Sequence, residues 1–167
     1  MSYSYDKFLR PITTSDKSIK ILDDTNFSAI PKEGVVLAGG CFDILHAAHI
    51  KFLKLAKEKG QFLALLLESD ENIRQMKGKY RPVNNQITRA ENLSKLESVD
   101  YIILLNKPTS SNYYENIVKS IQPDIIAVTS EDPLLSTKKL QAEMVNGKVV
   151  EVMERNKEFS STRIIEN

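Results

Sequence analysis

The sequence predicts an α/β fold, an open parallel sheet of five strands with helices on both faces. Three observations lead there. Five short apolar runs recur, at residues 35–38, 62–67, 101–105, 125–128 and 149–153, and none alternates strictly with polar residues, which is the pattern of strands covered on both sides. Several stretches between them repeat apolar residues at helical spacing. Strand and helix therefore alternate, and alternation with right-handed crossovers builds a parallel sheet.

The elements follow in order. Residues 1–33 do not join the rhythm: Pro11, the polar cluster at 13–16 and Pro31 read as an irregular N-terminal arm with one short strand over 19–22, ahead of a domain spanning 34–167. After the first run come Gly39 and Gly40, then Leu45, Ala48, Phe52, Leu53 and Ala56 at spacings of three, four, one and three. That spacing predicts a helix, with Gly60 standing where it would stop. The stretch after the second run is polar, centred on Gly78 and Pro82, and reads as a loop. Ile87, Ala90, Leu93 and Leu96 then predict a helix before the third run, and Tyr113, Ile117 and Ile121 another before the fourth.

Bulk properties set outer limits. A chain of 167 residues with 41% hydrophobic content fits one core. The 23 basic and 22 acidic residues nearly cancel, so no whole-molecule field favours nucleic acid and an anionic ligand needs a local site. Cys41 is the only cysteine, which excludes an intramolecular disulfide and suits a reducing compartment. The first residues lack a signal-peptide core, and no run approaches the ~18 apolar residues of a membrane span. A soluble cytoplasmic protein with no membrane partner is expected.

Function is concentrated in "GGCFDILHAAH", residues 39–49. In an open parallel sheet ligands bind beyond the carboxyl ends of the strands, and this stretch is the first strand-to-helix turn. Gly39 and Gly40 let backbone approach a ligand, and a helix opening near residues 43–45 would aim its N–H groups at an anion. His46 and His49, three apart, can reach the same phosphate from one helical turn. Coincidence of composition is the plainer reading. Against it, these are the chain's only histidines and both fall in this one turn.

The turn resembles that of the H-x-G-H nucleotidyltransferases, the cytidylyltransferase-like family, whose signature reads G-[TC]-F-D-x-x-H-x-G-H. Within the family the nearest likeness is to the adenylyltransferase half of bacterial ADP-heptose synthase; glycerol-3-phosphate cytidylyltransferase is more distant. The resemblance runs over residues 34–167 through "SDENIRQMKGKYRPV", "TRAENLSKLESVDYII" and "RNKEFSSTRII". It implies a Rossmann-like fold, transfer of AMP from ATP to a phosphorylated small molecule such as heptose 1-phosphate, release of pyrophosphate, Mg²⁺ bound with the nucleotide, and a homodimer. CTP with a polyol phosphate, and a catalytically silent nucleotide-binding module, stay open as alternatives. Two departures bear on them: Ala48 replaces the signature glycine, and "AVTSED" replaces the heptose enzymes' V-K-G-G-D.

Nucleotidyl transfer needs positioning and charge stabilisation more than a general base, because the acceptor phosphate is already ionised. The resemblance implies His46, His49 and Lys77 as catalytic donors. It implies nucleotide contacts from Gly40, Cys41, Phe42 and Asp43, those of Cys41 and Phe42 through backbone N–H; Asp43 would alternatively cap the helix or help hold Mg²⁺. Ser160, Ser161 and Thr162, with Arg155 and Arg163, would grip the outer phosphates, or serve only as a helix start. Lys79, Arg81 and Arg89 would meet the acceptor, the bland alternatives being a solvated charge cluster and a surface arginine.

Overall fold

The computed structural model describes residues 12–14, 17–108 and 110–155. Along the chain come β1 (Ile12–Thr14), β2 (Lys17–Asp23), β3 (Val35–Gly40), α1 (Ala47–Lys57), β4 (Phe62–Leu67), α2 (Asp70–Lys77), α3 (Gln86–Ser94), β5 (Tyr101–Leu104), α4 (Tyr113–Ile121), β6 (Ile125–Thr129), α5 (Leu135–Glu143) and β7 (Lys148–Met153). The sheet order is β1-β2-β5-β4-β3-β6-β7.

The five expected strands are present, but the parallel sheet has six. β2 pairs in parallel with β5, from Lys20 opposite Tyr101 to Asp23 opposite Leu104. β1 adds a short antiparallel edge to β2. The strand expected over 19–22 is therefore longer and part of the sheet. Its sequence, KSIKILD, mixes lysines with apolar residues because it lies towards the rim, where only part of the strand is covered.

The pleat divides the strand side chains between two cores. Val36, Ala38, Leu63, Leu65, Leu67 and Ile102 face α1 and α3, which contribute Leu53, Ala56, Ala90 and Leu93. Val35, Leu37, Ala64, Leu66 and Ile103 face α4 and α5, which contribute Ile117, Val118, Ile121 and Ala142. Burial on both faces is why β3, β4, β5 and β6 read as continuous apolar runs. Each fully buried leucine or isoleucine contributes roughly 1.5–3 kcal/mol.

Two helices escape the apolar-spacing argument. α2 occupies the stretch expected as a loop; Ser69 caps it, its Oγ accepting from Asn72 N at 3.1 Å, and Ile73 is its one buried residue. α5 likewise buries only Ala142. A helix with one buried position shows no apolar stripe.

Chain direction locates the functional edge. From β3 the chain steps outward to β4 and then β5, and only afterwards returns to β6 and β7 on the other side of β3. The strand order reverses between β3 and β6, so a crevice opens at their carboxyl ends.

Candidate active site

The turn after β3 is built under local constraint. Phe42 takes φ 46, the left-handed region, which a bulky L-residue adopts only when its surroundings enforce it. Its ring lies over Gly40, where an added Cβ would come within 3.1 Å of Phe42 Cε2. Helix α1 then begins at Ala47, later than the expected 43–45, with His46 as its N-cap in extended conformation and no side-chain cap bond. The first N–H groups of α1 consequently point past the turn without a side-chain acceptor.

His46 and His49 come together at this helix start. Their rings stack at a centroid separation of 3.7 Å and an interplanar angle of 19°, and the Phe42 ring meets His49 edge-on at 5.3 Å. Burial lowers the pKa of His46. It lowers that of His49 to about 4, helped by neighbouring His46 and opposed by a backbone hydrogen bond with Ile44. Both imidazoles are therefore neutral near pH 7 in the unliganded protein.

A cavity of about 280 Å³ opens beside the pair. Gly40, Cys41 and Phe42 form its floor, Lys77 reaches it from the last turn of α2, and Arg155 stands just past β7. Arg155 is fixed there through its backbone N–H, which donates to Ser130 Oγ at 3.1 Å, and its Nη1, which donates to the Glu131 carbonyl at 3.4 Å. The opposite wall comes from residues 127–129 of β6 and from Asp132 and Lys138, whose side chains pair at 2.7 Å. Asp132 closes the AVTSED stretch noted in the sequence, though no role was assigned to it, and Lys138 was missed altogether. Ala48 also lines the cavity, so its methyl group occupies wall that a glycine would leave empty.

Three residues expected at ligands are placed under the site instead. Asp43 is 1% exposed; its carboxylate accepts from Arg81 Nε at 2.8 Å, Val83 N at 3.0 Å and Asn84 N at 2.9 Å. Burial works against ionisation of Asp43, yet those amides and the guanidinium together hold its carboxyl below the usual range. It neither caps α1 nor faces the cavity. Arg81 is 8% exposed, its Nε committed to Asp43.

Arg89 is fully buried rather than turned to an acceptor. Its Nε donates to the Asn84 carbonyl at 3.0 Å, its Nη1 to the Cys41 carbonyl at 2.6 Å, and its Nη2 to the Glu68 carbonyl at 2.8 Å and Asp70 Oδ1 at 2.7 Å. This arginine ties the phosphate-facing turn to the ends of β4 and α2. Lys79 stays exposed, its ammonium 4.9 Å from the centroid of the Tyr80 ring, and it does not line the cavity. Ser160, Ser161, Thr162 and Arg163 lie outside the described residues.

Burial shifts Cys41 and Tyr114 as well. The Cys41 thiol is pushed up, first by burial and against the opposing charge of Lys77, so it stays protonated. A thiol in that state is a poor nucleophile, consistent with a role for Cys41 through its backbone.

Comparisons with known proteins bear on the family of the chain. The profile of the cytidylyltransferase-like family matches residues 37–167. The bifunctional protein HldE of Campylobacter concisus is 41% identical over 110 residues, 66% of this chain and 22% of the relative. The HldE of Wolinella succinogenes is 44% identical over 92 residues, 55% of this chain and 19% of the relative. The chain thus spans about a fifth of the length of the curated relatives it matches. Among solved structures, a lipopolysaccharide core biosynthesis protein from Thermoplasma volcanium superposes with TM-score 0.60 at 26% identity, over 73% of this chain and 98% of that one. Pantothenate synthetase from Thermus thermophilus superposes with TM-score 0.59 at 15% identity, over 81% of this chain and 63% of that one, and shares the fold alone. A glycine turn at the strand-order reversal, a histidine pair at the start of α1 and a profile match over most of the chain lead to one assignment: the chain belongs to the cytidylyltransferase-like family.

Proposed function

We propose that the protein is a nucleotidyltransferase that moves AMP from ATP to a phosphorylated small molecule and releases pyrophosphate. The observation that carries this reading is the stacked, neutral His46 and His49 pair beside the residue 40–42 turn, in a cavity that Lys77, Lys138 and Arg155 also line. Each imidazole offers one N–H donor when neutral, as in the unliganded site, and two when protonated, and the first amides of α1 add more. An oxygen of the acceptor phosphate attacks the α-phosphorus, the bond to the β-phosphate oxygen breaks, and pyrophosphate leaves with the electron pair. Donors fixed where negative charge accumulates each contribute on the order of 3–4 kcal/mol to the transition state. Ser160, Ser161, Thr162 and Arg163 would join Arg155 on the outer phosphates. Mg²⁺, which the sequence resemblance implies, would arrive bound to the triphosphate.

A sugar phosphate such as heptose 1-phosphate is the acceptor to which the sequence resemblance points, and the lipopolysaccharide role named for the Thermoplasma volcanium relative is in keeping with it. Pyrophosphate release measured for ATP and CTP, each against sugar and polyol phosphates, tests the reading. ATP with a sugar phosphate should be fastest; CTP with a polyol phosphate leading would replace it with the cytidylyltransferase alternative. One observation favours a silent binding module: the Ala48 methyl in the cavity wall. Nucleotide binding without pyrophosphate release for any acceptor, together with turnover restored by Ala48→Gly, would establish that second reading. A homodimer is also proposed from the resemblance, and light scattering at micromolar concentration should return twice the chain mass.

A further inference from the structure

One side-chain network ties the segment ahead of the family match to the turn that carries the histidine site. The profile match begins at residue 37, so β2 and the turn after it lie outside it. β2 runs parallel to β5 with Asp23 opposite Leu104, and this register delivers Asp24 to the carboxyl edge beside Asn106. Asp23 fixes the turn by accepting from Thr25 N at 2.8 Å.

Asp24 gathers three donors there. Its carboxylate accepts from Asn106 N at 2.9 Å, from Asn106 Nδ2 at 2.8 Å and from the Tyr113 hydroxyl. Tyr113 opens α4, and its ring meets that of Tyr114 edge-on at 5.2 Å. The Tyr114 hydroxyl donates to Glu68 Oε1 at 3.0 Å, and Asn72 Nδ2 donates to Oε2 at 2.7 Å. Burial first, then Asp24 for Tyr113 and Glu68 for Tyr114, pushes both phenols well above their usual range. Both therefore remain donors.

Glu68 is joined to the turn twice. Its N–H donates to the Gly40 carbonyl at 3.1 Å, and its carbonyl shares the Arg89 guanidinium with the Cys41 carbonyl, at 2.8 and 2.6 Å. Its negative charge reaches the Cys41 thiol. A carboxylate this close to a phosphate-binding turn repels phosphate unless it is held aside. Glu68 is held aside: it lines a neighbouring cavity of about 530 Å³ and not the histidine cavity, bound by Tyr114 and Asn72.

We infer that the N-terminal segment is a working part of the site: Asp24 is a positioning residue that, through Tyr113 and Tyr114, keeps the Glu68 carboxylate off the phosphates and the residue 40–42 turn in shape. The inference rests on the transfer reading above, which places the phosphates at that turn. Asp24 touches neither substrate nor reacting atoms.

Alkylation of Cys41, the only cysteine, by iodoacetamide reports on the turn without requiring turnover. Asp24→Ala should raise its rate roughly three- to tenfold, the factor that one lost hydrogen bond allows. Tyr113→Phe should match it, and the double variant should be no faster than the faster single, because the residues act in one network. Asp24→Asn, whose amide oxygen still accepts from Tyr113, should recover most of the native protection. Lys107→Ala, which breaks an exposed pair with Glu71 in the same loop, should alkylate at the native rate. In pyrophosphate release, Asp24→Ala should raise KM for ATP by roughly the same three- to tenfold factor and leave kcat within about twofold. Equal alkylation in every variant, including none at all, overturns the inference. So do multiplied rates in the double variant, a Lys107→Ala rate matching Asp24→Ala, or an unchanged KM for ATP in a protein that turns over. A lower Tm with native alkylation would leave Asp24 a purely structural anchor. If Asp24→Ala fails to fold, Tyr113→Phe, which loses only its hydroxyl oxygen, decides alone. A native protein with Asp24-dependent alkylation that never releases pyrophosphate fails as a transferase while the positioning of the turn stands.

Discussion

Replacing Arg89 by methionine separates a structural role from an acceptor contact. Methionine has similar length and suits the apolar neighbours Ala90 and Leu93 on the same helix, so the change removes donors without opening a large cavity. Three backbone carbonyls, of Asn84, Cys41 and Glu68, lose a charged donor, and Asp70 loses its ion-pair partner. A hydrogen bond to a charged group contributes about 1.5–3 kcal/mol, but losses within one network do not add. Asp70 is 34% exposed and can be rehydrated, whereas Arg89 itself is fully buried. Breaking such a buried set should cost about 3–5 kcal/mol. At roughly 2–4 °C per kcal/mol for a chain of this size, Tm should fall by roughly 6–20 °C. Arg89→Lys should lose a large part of the same stability, because one ammonium cannot span the carbonyls that a planar guanidinium bridges. Scanning calorimetry with urea titration measures both variants. A loss under about 1 kcal/mol, combined with a raised KM for acceptor, would refute the reasoning and return Arg89 to the ligand.

Three further outcomes follow from the site. His46→Ala and His49→Ala should each lower kcat/KM at least ~100-fold with little change in Tm, measured by pyrophosphate release; a near-native rate in either removes the paired-donor mechanism. Because the pKa of His49 falls from 6.5 to about 4 on folding, its contribution to stability is fully present above pH 6.5 and is lost as pH falls from 6.5 towards 4. The loss is up to about 3 kcal/mol before solvent screening; His49→Asn should flatten the stability profile across that window, and an unchanged slope rejects the shift. Gly40→Ala must push the Phe42 ring, 3.1 Å away at its Cε2, and with it the edge contact to His49; nucleotide affinity should drop with folding retained, and native affinity in that variant would show that the turn tolerates the displacement.

What the sequence revealed follows burial. β3, β4, β5 and β6 are covered on both faces and announced themselves as apolar runs. β2 lies nearer the rim and carries lysines, so only its 19–22 stretch read as a strand and its place in the sheet did not show; α2 and α5 bury one residue each, so the stripe criterion misses them. The turn was legible because two glycines and both histidines occur within eleven residues. Lys138 was not, since α5 shows no stripe and belongs to no recognised motif. Arg89 was misplaced for a readable reason: it precedes Leu93 by four positions, on the face that the core occupies. Position on a buried face was the available signal, and it argued for a guanidinium spent on backbone carbonyls.

The site's charges divide along the same line. Arg81 and Arg89 are buried and answered by Asp43 and Asp70, so their charge is consumed in holding the turn in a conformation that includes Phe42 at positive φ. Lys77, Lys138 and Arg155 line the histidine cavity from α2, α5 and the end of β7, Lys138 paired with Asp132 in the same wall. Phosphate brings negative charge to two imidazoles that burial keeps neutral, and that charge favours their protonated forms. Nucleotide binding should therefore take up protons near neutral pH, since the complex raises pKa values that the empty site depresses. Calorimetry in buffers of different ionisation enthalpy measures that uptake directly. The native protein should show it and the His46→Ala/His49→Ala double variant should lack it. Equal proton uptake by both proteins would mean that the phosphates themselves titrate, and the histidine pair would then be a fixed pair of neutral donors throughout the reaction.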